Sequence, residues 1–300
     1  MTSVVTLKDV SKQFKEKKAV DHISFTINEG ETVAILGPNG AGKTTTMMMM
    51  LGLMKASGGT VELFQLSATD KEIRERIGVM LQEVSIIDSL KVHEVLKLFR
   101  SYYKKPLPYD DLVSITGLDS ALMNQMANKL SGGQKRRLNF ALALAGNPDI
   151  LFLDEPTVGM DISSRKLFWE RINQLKKQGK TIIFTTHYLQ EADEIANRII
   201  LFANGKIIAD GTPQSIKANL TQKSISFDMN ADISVEELNQ IELISNIYVK
   251  NSRVIITTTD TDEVMNLLYQ KQLQLKNLTI ENGKLEEAFE ILTTVPKEEM

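Results

Sequence analysis

The apolar positions of this chain follow two rhythms. Through the first 220 residues, short unbroken apolar runs alternate with stretches of helical period. That alternation predicts a mainly parallel sheet, buried on both faces and covered by helices. Thr32-Val33-Ala34-Ile35-Leu36, Ile150-Leu151-Phe152-Leu153 and Thr181-Ile182-Ile183-Phe184-Thr185 are three such runs. Between Lys166 and Lys177, Phe168, Ile172 and Leu175 recur at helical spacing, with Arg171 and Lys176 expected on the outer face. Residues 88–146 are almost entirely helical in pattern, with loops at Pro106–Pro108 and near Gly117, and predict a helical subdomain inside the α/β core. Met47–Met50 reads as part of a buried helix.

Beyond residue 222 the rhythm changes. The pattern predicts a strand (Ser224–Met229), a helix (Val235–Ile241), two strands (Ile247–Lys250 and Val254–Thr258), a helix (Asp262–Tyr269) and a strand (Leu275–Ile280). This β-α-β-β-α-β order predicts a small ferredoxin-like α+β domain, followed by a last helix over Lys284–Thr293.

Charge sharpens the division. From Thr221 onwards there are 7 Lys+Arg against 14 Asp+Glu, whereas the first 220 residues carry 28 against 24. A length of 300 residues also exceeds the roughly 100–200 of one domain, so domains at 1–220 and 221–300 are expected. With 42% hydrophobic and 24% charged residues the composition is that of a globular protein. The absence of cysteine excludes disulfides and thiolate metal sites. A net charge of -3 and a pI of about 5.8 leave no basic footprint for nucleic acid. The start, Met1 to Asp9, shows neither the basic nor the apolar region of a secretory signal. The methionine-rich stretch Met47–Met54 is far shorter than the ~20 apolar residues of a membrane span.

Three constellations carry chemistry. Gly37-Pro38-Asn39-Gly40-Ala41-Gly42-Lys43-Thr44 matches G-x-x-x-x-G-K-[ST] at every fixed position, between a predicted strand and a predicted helix. Its glycines let backbone N–H groups curl around phosphate oxygens, Lys43 adds a charge for the β- and γ-phosphates, and Thr44 offers a hydroxyl to Mg²⁺. Asp154 and Glu155 close the apolar run 150–153, where an open α/β sheet places its ligands. There Asp154 is a Mg²⁺ partner opposite Thr44, and Glu155 is free to orient or deprotonate a water. Leu130-Ser131-Gly132-Gly133-Gln134 opens a helix with a serine and two glycines, which makes a second anion-binding helix start. One chain has one nucleotide, already cradled at 37–44, so the second start suggests a head-to-tail pair of chains, a step that physics alone leaves open.

Taken together and in order, Gly37–Thr44, Gln82, Leu130–Gln134, Ile150–Glu155, Gly159-Met160-Asp161 and His187 resemble the nucleotide-binding subunits of ATP-binding cassette (ABC) transporters. The resemblance covers roughly residues 3–215, and LSGGQ at 130–134 separates that family from other P-loop proteins. It implies an α/β P-loop cassette with an inserted helical subdomain, here followed by the small α+β domain. It further implies an ATPase that powers a separate integral-membrane permease from the cytoplasmic face. ATP and Mg²⁺ are the implied cofactors, and a second cassette is the implied partner, as homodimer or heterodimer.

By the same resemblance, Gly37 through Thr45 would bind nucleotide, and Gln82 would touch Mg²⁺ and sense the permease. Ser131, Gly132, Gly133 and Gln134 would clasp the γ-phosphate of the opposite chain. Glu155 would act on the water, Asp161 would belong to an inter-chain loop, and His187 would contact the γ-phosphate. Phe14 falls where the family stacks an aromatic ring on adenine, most often tyrosine. Leu285 to Thr293 resembles the closing helix of the bacterial drug- and sodium-exporter branch, which implies export of a drug, peptide, ion or other small substrate. Ile86 and Ile87, in the loop after Gln82, are the expected exposed contacts to the permease.

Overall fold

A computed structural model describes residues 2–82, 87, 89–117, 119–220, 223–229, 235–271, 273–281, 285 and 289. The chain divides into two compact units, 1–212 and 213–300. The first opens with two long strands, β1 (Ser3–Phe14) and β2 (Lys17–Asn28), then β3 (Thr32–Leu36) and helix α1 (Lys43–Met50). There follow β4 (Gly58–Leu63), β5 (Leu66–Ser67) and β6 (Ile77–Met80). Helices α2 (Val92–Ser101), α3 (Tyr109–Thr116), α4 (Ser120–Met123) and α5 (Gly132–Leu144) come next, as the helical pattern predicts. The unit continues through β7 (Ile150–Asp154), α6 (Ile162–Lys177), β8 (Thr181–Thr185), α7 (Leu189–Ile195), β9 (Arg198–Ala203) and β10 (Lys206–Gly211).

A six-stranded sheet in the order β10-β9-β3-β8-β7-β6 organises this unit, parallel throughout except at β10. β3, β7 and β8 are buried at all five positions because both faces of the sheet are covered. Alternate side chains (Val33, Ile35, Ile150, Phe152, Ile183) join one core with Met47, Met49 and Met50 of α1. On the other face Phe184 meets Trp169 at 5.0 Å between ring centroids, and Trp169 and Phe168 extend the contact to Phe140 of α5. Lys176 of α6, expected on the outer face, is half-buried, and its ammonium donates to the Ile195 carbonyl at 3.1 Å.

A second sheet, β2-β1-β4-β5, is antiparallel, and its apolar side shares the core of α1. The alternating strand–helix expectation did not include it. β1 and β2 pair with four register shifts, and Asp9 and His22 sit at φ 51° within them. Such bulges break the two-residue period by which a half-buried strand is recognised.

The second unit begins with α8 (Pro213–Leu220) and continues as β11 (Lys223–Asp228), α9 (Val235–Leu238), β12 (Ile244–Lys250), β13 (Arg253–Thr258), α10 (Thr261–Gln270) and β14 (Thr279–Glu281). Its sheet runs β12-β13-β11-β14, antiparallel throughout, which is the strand order of a ferredoxin-like βαββαβ unit. Ile225, Phe227, Val254 and Ile256 pack against Leu238, Val264 and Leu268 of the two helices. The last strand is shorter and later than the expected Leu275–Ile280. Of the expected helix over 284–293, only Leu285 and Phe289 are among the described residues.

Candidate active site

The strand order decides what meets. β3, β8, β7 and β6 are consecutive and parallel, so the loops that leave their carboxyl ends lie side by side. Those loops carry Gly37–Thr44, Thr186–His187, Glu155 and Gln82 in turn. They surround a cleft of about 510 Å³ whose lining includes Asn39, Gly40, Ala41, Gly42, Lys43, Thr44, Thr45, Gln82, Glu155 and His187.

Glycine is required in the loop for two local reasons. Gly42 takes φ +105°, and a Cβ there would stand 2.5 Å from the Ala19 carbonyl oxygen; one on Gly37 would collide with that of Phe202. The loop therefore closes tightly and hands the first amides of α1 to the cleft, since the helix start carries no side-chain cap. Lys43 is 7% exposed and donates to the carbonyls of Gly37 at 2.7 Å and Pro38 at 3.1 Å. Burial pushes its ammonium below the usual lysine range, and the nearby charges of Glu155 and Asp154 oppose that shift.

Asp154 is buried at the end of β7 and accepts the Thr185 hydroxyl at 2.6 Å. Glu155 takes a left-handed backbone, φ 47°, held by its own N–H donating to Thr185 Oγ1 at 3.0 Å and by Arg136 donating to its carbonyl at 3.2 Å. That backbone aims the carboxylate into the cleft. There Oε2 accepts from Gln82 Nε2 at 3.2 Å, and Oε1 lies 2.5 Å from His187 Nε2. Two residues from two other loops thus converge on the Glu155 carboxylate. Phe14 is 44% exposed at the rim of the same cleft, with Lys12 Nζ 5.1 Å from its ring centroid.

Two predicted groups lie apart from this cleft. Ser131 caps α5 by accepting the Gln134 N–H at 3.3 Å, and Gln134 returns the bond by accepting the Ser131 N–H at 2.9 Å. A Cβ on Gly132 or Gly133 would meet no atom within 4 Å. Asp161 caps α6, accepting the Ser164 N–H and hydroxyl, both at 2.8 Å, and those bonds hold its carboxyl below the usual range. Ile87, 42% exposed, lines a separate apolar cleft of about 430 Å³ with Leu53, Val79, Val95 and Phe99. Its predicted companion Ile86 lies outside the described residues.

Residues 20–158 match the family model described as ABC transporter. The Nod factor export ATP-binding protein I of Burkholderia lata is 38% identical over 218 residues, spanning 71% of this chain and 72% of that protein. The chain belongs to the ABC transporter family. The corresponding protein of Paraburkholderia xenovorans is 38% identical over 70% of this chain and 71% of its own. A bacterial ABC transporter cassette solved as a dimer is 28% identical, with a TM-score of 0.64 over 70% of this chain and 98% of that one. A dimeric post-hydrolysis cassette bound to ADP and Pi is similar to the same degree, again 28% identical with a TM-score of 0.64. This protein is the ATP-binding subunit of an ABC transporter and an ATPase.

Several residues of the ABC cassette site escaped the sequence. Lys17 and Ala19 line the cleft from β2, and no motif marks them. Thr185 ties Asp154 to the backbone of Glu155, although it reads as the last residue of an apolar strand. Arg136 is visible only as one of three basic residues after Gln134, and burial lowers its proton affinity while Glu155 and Asp154 oppose the shift.

Proposed function

We propose that this ABC subunit pairs head to tail with a second cassette and hydrolyses ATP between them to drive export through a separate integral-membrane permease. The observation that carries the catalytic reading is the convergence of Gln82 and His187 on Glu155 at the mouth of the Gly37–Thr45 loop. In this reading Phe14 stacks on adenine, the loop amides and Lys43 hold the phosphates, and Glu155 takes a proton from water. The oxygen attacks the γ-phosphorus as the bond to the ADP oxygen breaks. His187 and Gln82 keep the carboxylate and the γ-phosphate in register.

The oxygen donors of Thr44, Gln82 and Asp154 are the hard set that Mg²⁺ takes, and Thr44 and Gln82 share the cleft, so these three residues would hold the ion. Bound there, Mg²⁺ supplies charge neutralisation at the phosphates. The dimer reading rests on Ser131 to Gln134, a glycine-rich helix start with open space around it and outside this chain's own cleft. Asp161 would face the partner cassette beside it. In this reading the apolar cleft at Ile87 receives a short helix of the permease, and the subunit works at the cytoplasmic membrane face. Among the described residues no helix is long and apolar enough to cross a membrane.

Export is supported by the names of the relatives, which are export ATP-binding proteins. The second unit, residues 213–300, holds none of the nucleotide motifs, and a regulatory or dimer-supporting role is assigned to it. Leu285 is buried within its own chain.

Glu155→Gln tests the chemistry. An amide cannot act as the base, so turnover should fall by about 10²–10⁴-fold while ATP binding persists. The variant should accumulate as an ATP-bound dimer in size-exclusion chromatography. Turnover at the wild-type rate would remove Glu155 from its role.

A further inference from the structure

Behind the active site lies a carboxylate that none of these steps uses. Glu191, in α7, is 6% exposed, and its two oxygens are held by two different loops. Thr157, two residues beyond Glu155, donates its hydroxyl to Oε1 at 2.7 Å. Thr186, immediately before His187, donates to Oε2 at 2.6 Å. Arg165 of α6 brings Nε to 3.6 Å from Oε1 and sets its guanidinium 3.9 Å from the ring centroid of Tyr188. The Tyr188 N–H returns to the Thr186 hydroxyl at 3.0 Å, which fixes the turn on which His187 stands.

Packing alone does not call for a charge here. A buried carboxylate is unfavourable unless it is hydrogen-bonded and paired, and an apolar side chain of the same size would fill the space without that cost. What the carboxylate does, and an apolar group could not, is join two loops through two acceptors at a fixed spacing. The loops are those of Glu155 and His187, whose side chains meet in front at 2.5 Å.

We infer that Glu191 is a positioning residue for ATP hydrolysis, holding Glu155 and His187 at their working separation by tying Thr157 to Thr186. The inference rests on the assignment of those two side chains to the chemistry. Glu191 is not part of the nucleotide cleft, so its contribution falls on turnover rather than on ATP binding. A misplacement of about 1 Å at a reacting centre lowers rates by about 10²-fold, which sets the expected scale.

The test is steady-state ATPase activity of the full chain, with ATP affinity measured separately by equilibrium binding of a fluorescent ATP analogue. Glu191→Ala should lower kcat by about 100-fold with the affinity within about twofold of wild type. Glu191→Gln, which offers one acceptor and one donor to the two hydroxyls, should fall between the two. Thr157→Val and Thr186→Val should each lower kcat, and serine at either position should restore it. In the Glu191→Ala background Thr157→Val should add nothing further, because the bond is already gone. The proposal is overturned if the Gln and Val variants all keep kcat within twofold of wild type. It is equally overturned if kcat, ATP affinity and melting temperature fall together, or if serine fails to rescue. Should Glu191→Ala not fold, the Gln, Val and Ser variants decide by the same criteria. A Glu155→Gln chain that still turns over removes the catalytic assignment itself, whereas active Glu191 variants beside an inactive Glu155→Gln remove only the tie.

Discussion

Two helices of the first unit begin at glycine-rich turns, and they are finished differently. α1 starts at Gly42 with no side chain to cap it, and its first amides face a cleft shared with Lys43 and Glu155. α5 starts at Ser131 with a reciprocal cap, Ser131 to Gln134 and back. The first helix start lacks acceptors from its own side chains, so an anion adds bonds there that the protein alone does not make. The second already satisfies two of its donors, and an incoming anion must compete with the cap. A helix start built in the first way binds phosphate as a single chain. On the proposed reading, one built in the second way is stable unoccupied and binds when a partner presents the phosphate at close range.

That contrast can be broken at either helix. The larger effect is expected at α1. Lys43→Ala removes a charge-assisted hydrogen bond worth about 1.5–3 kcal/mol, so ATP affinity of the isolated chain should drop roughly 10- to 100-fold by equilibrium titration. Unchanged affinity would mean that the loop amides alone hold the nucleotide. The smaller effect is expected at α5. Ser131→Ala deletes the cap, with a cost of about 1 kcal/mol and a fall in melting temperature of about 2–4 °C for a unit of this size. ATP affinity of the single chain should not change. A loss of affinity there would place the second helix start in this chain's own cleft and erase the distinction.

The two helix starts were equally visible in the sequence, and for the same reason. Each is a local pattern of glycine and hydroxyl within eight residues, with Lys43 added in the first, so the chain order alone reveals it. Asp154 and Glu155 were visible because they close an apolar run that reads as a buried strand, and His187 was visible through the resemblance to ABC subunits. What joins them was not visible. The Thr185–Asp154, Arg136–Glu155 and Thr157–Glu191 bonds link residues 31, 19 and 34 positions apart, and each depends on which strands become neighbours. The β2-β1-β4-β5 sheet was missed because bulges at Asp9 and His22 disrupt its alternation. The second unit shows the reverse case. There β11 from Ser224 and β13 throughout alternate half-buried and buried side chains without a register shift, and these two strands lie within a residue of those predicted. By contrast, β12 starts three residues earlier and β14 four residues later than expected.

The central claim is that the α5 start serves the partner's nucleotide, and mixed dimers test it most directly. A Ser131→Arg chain retains its own phosphate loop but blocks the helix start it offers. A Lys43→Ala chain retains the helix start but holds nucleotide poorly. Each alone should show almost no ATPase activity. Combined, they form one pocket from the intact loop of the first chain and the intact helix start of the second, so partial activity should return as the two are titrated together. If mixed dimers form, as shown by differently tagged chains copurifying, and activity stays at the level of the separate mutants, the two helix starts do not act across chains and the arrangement is wrong.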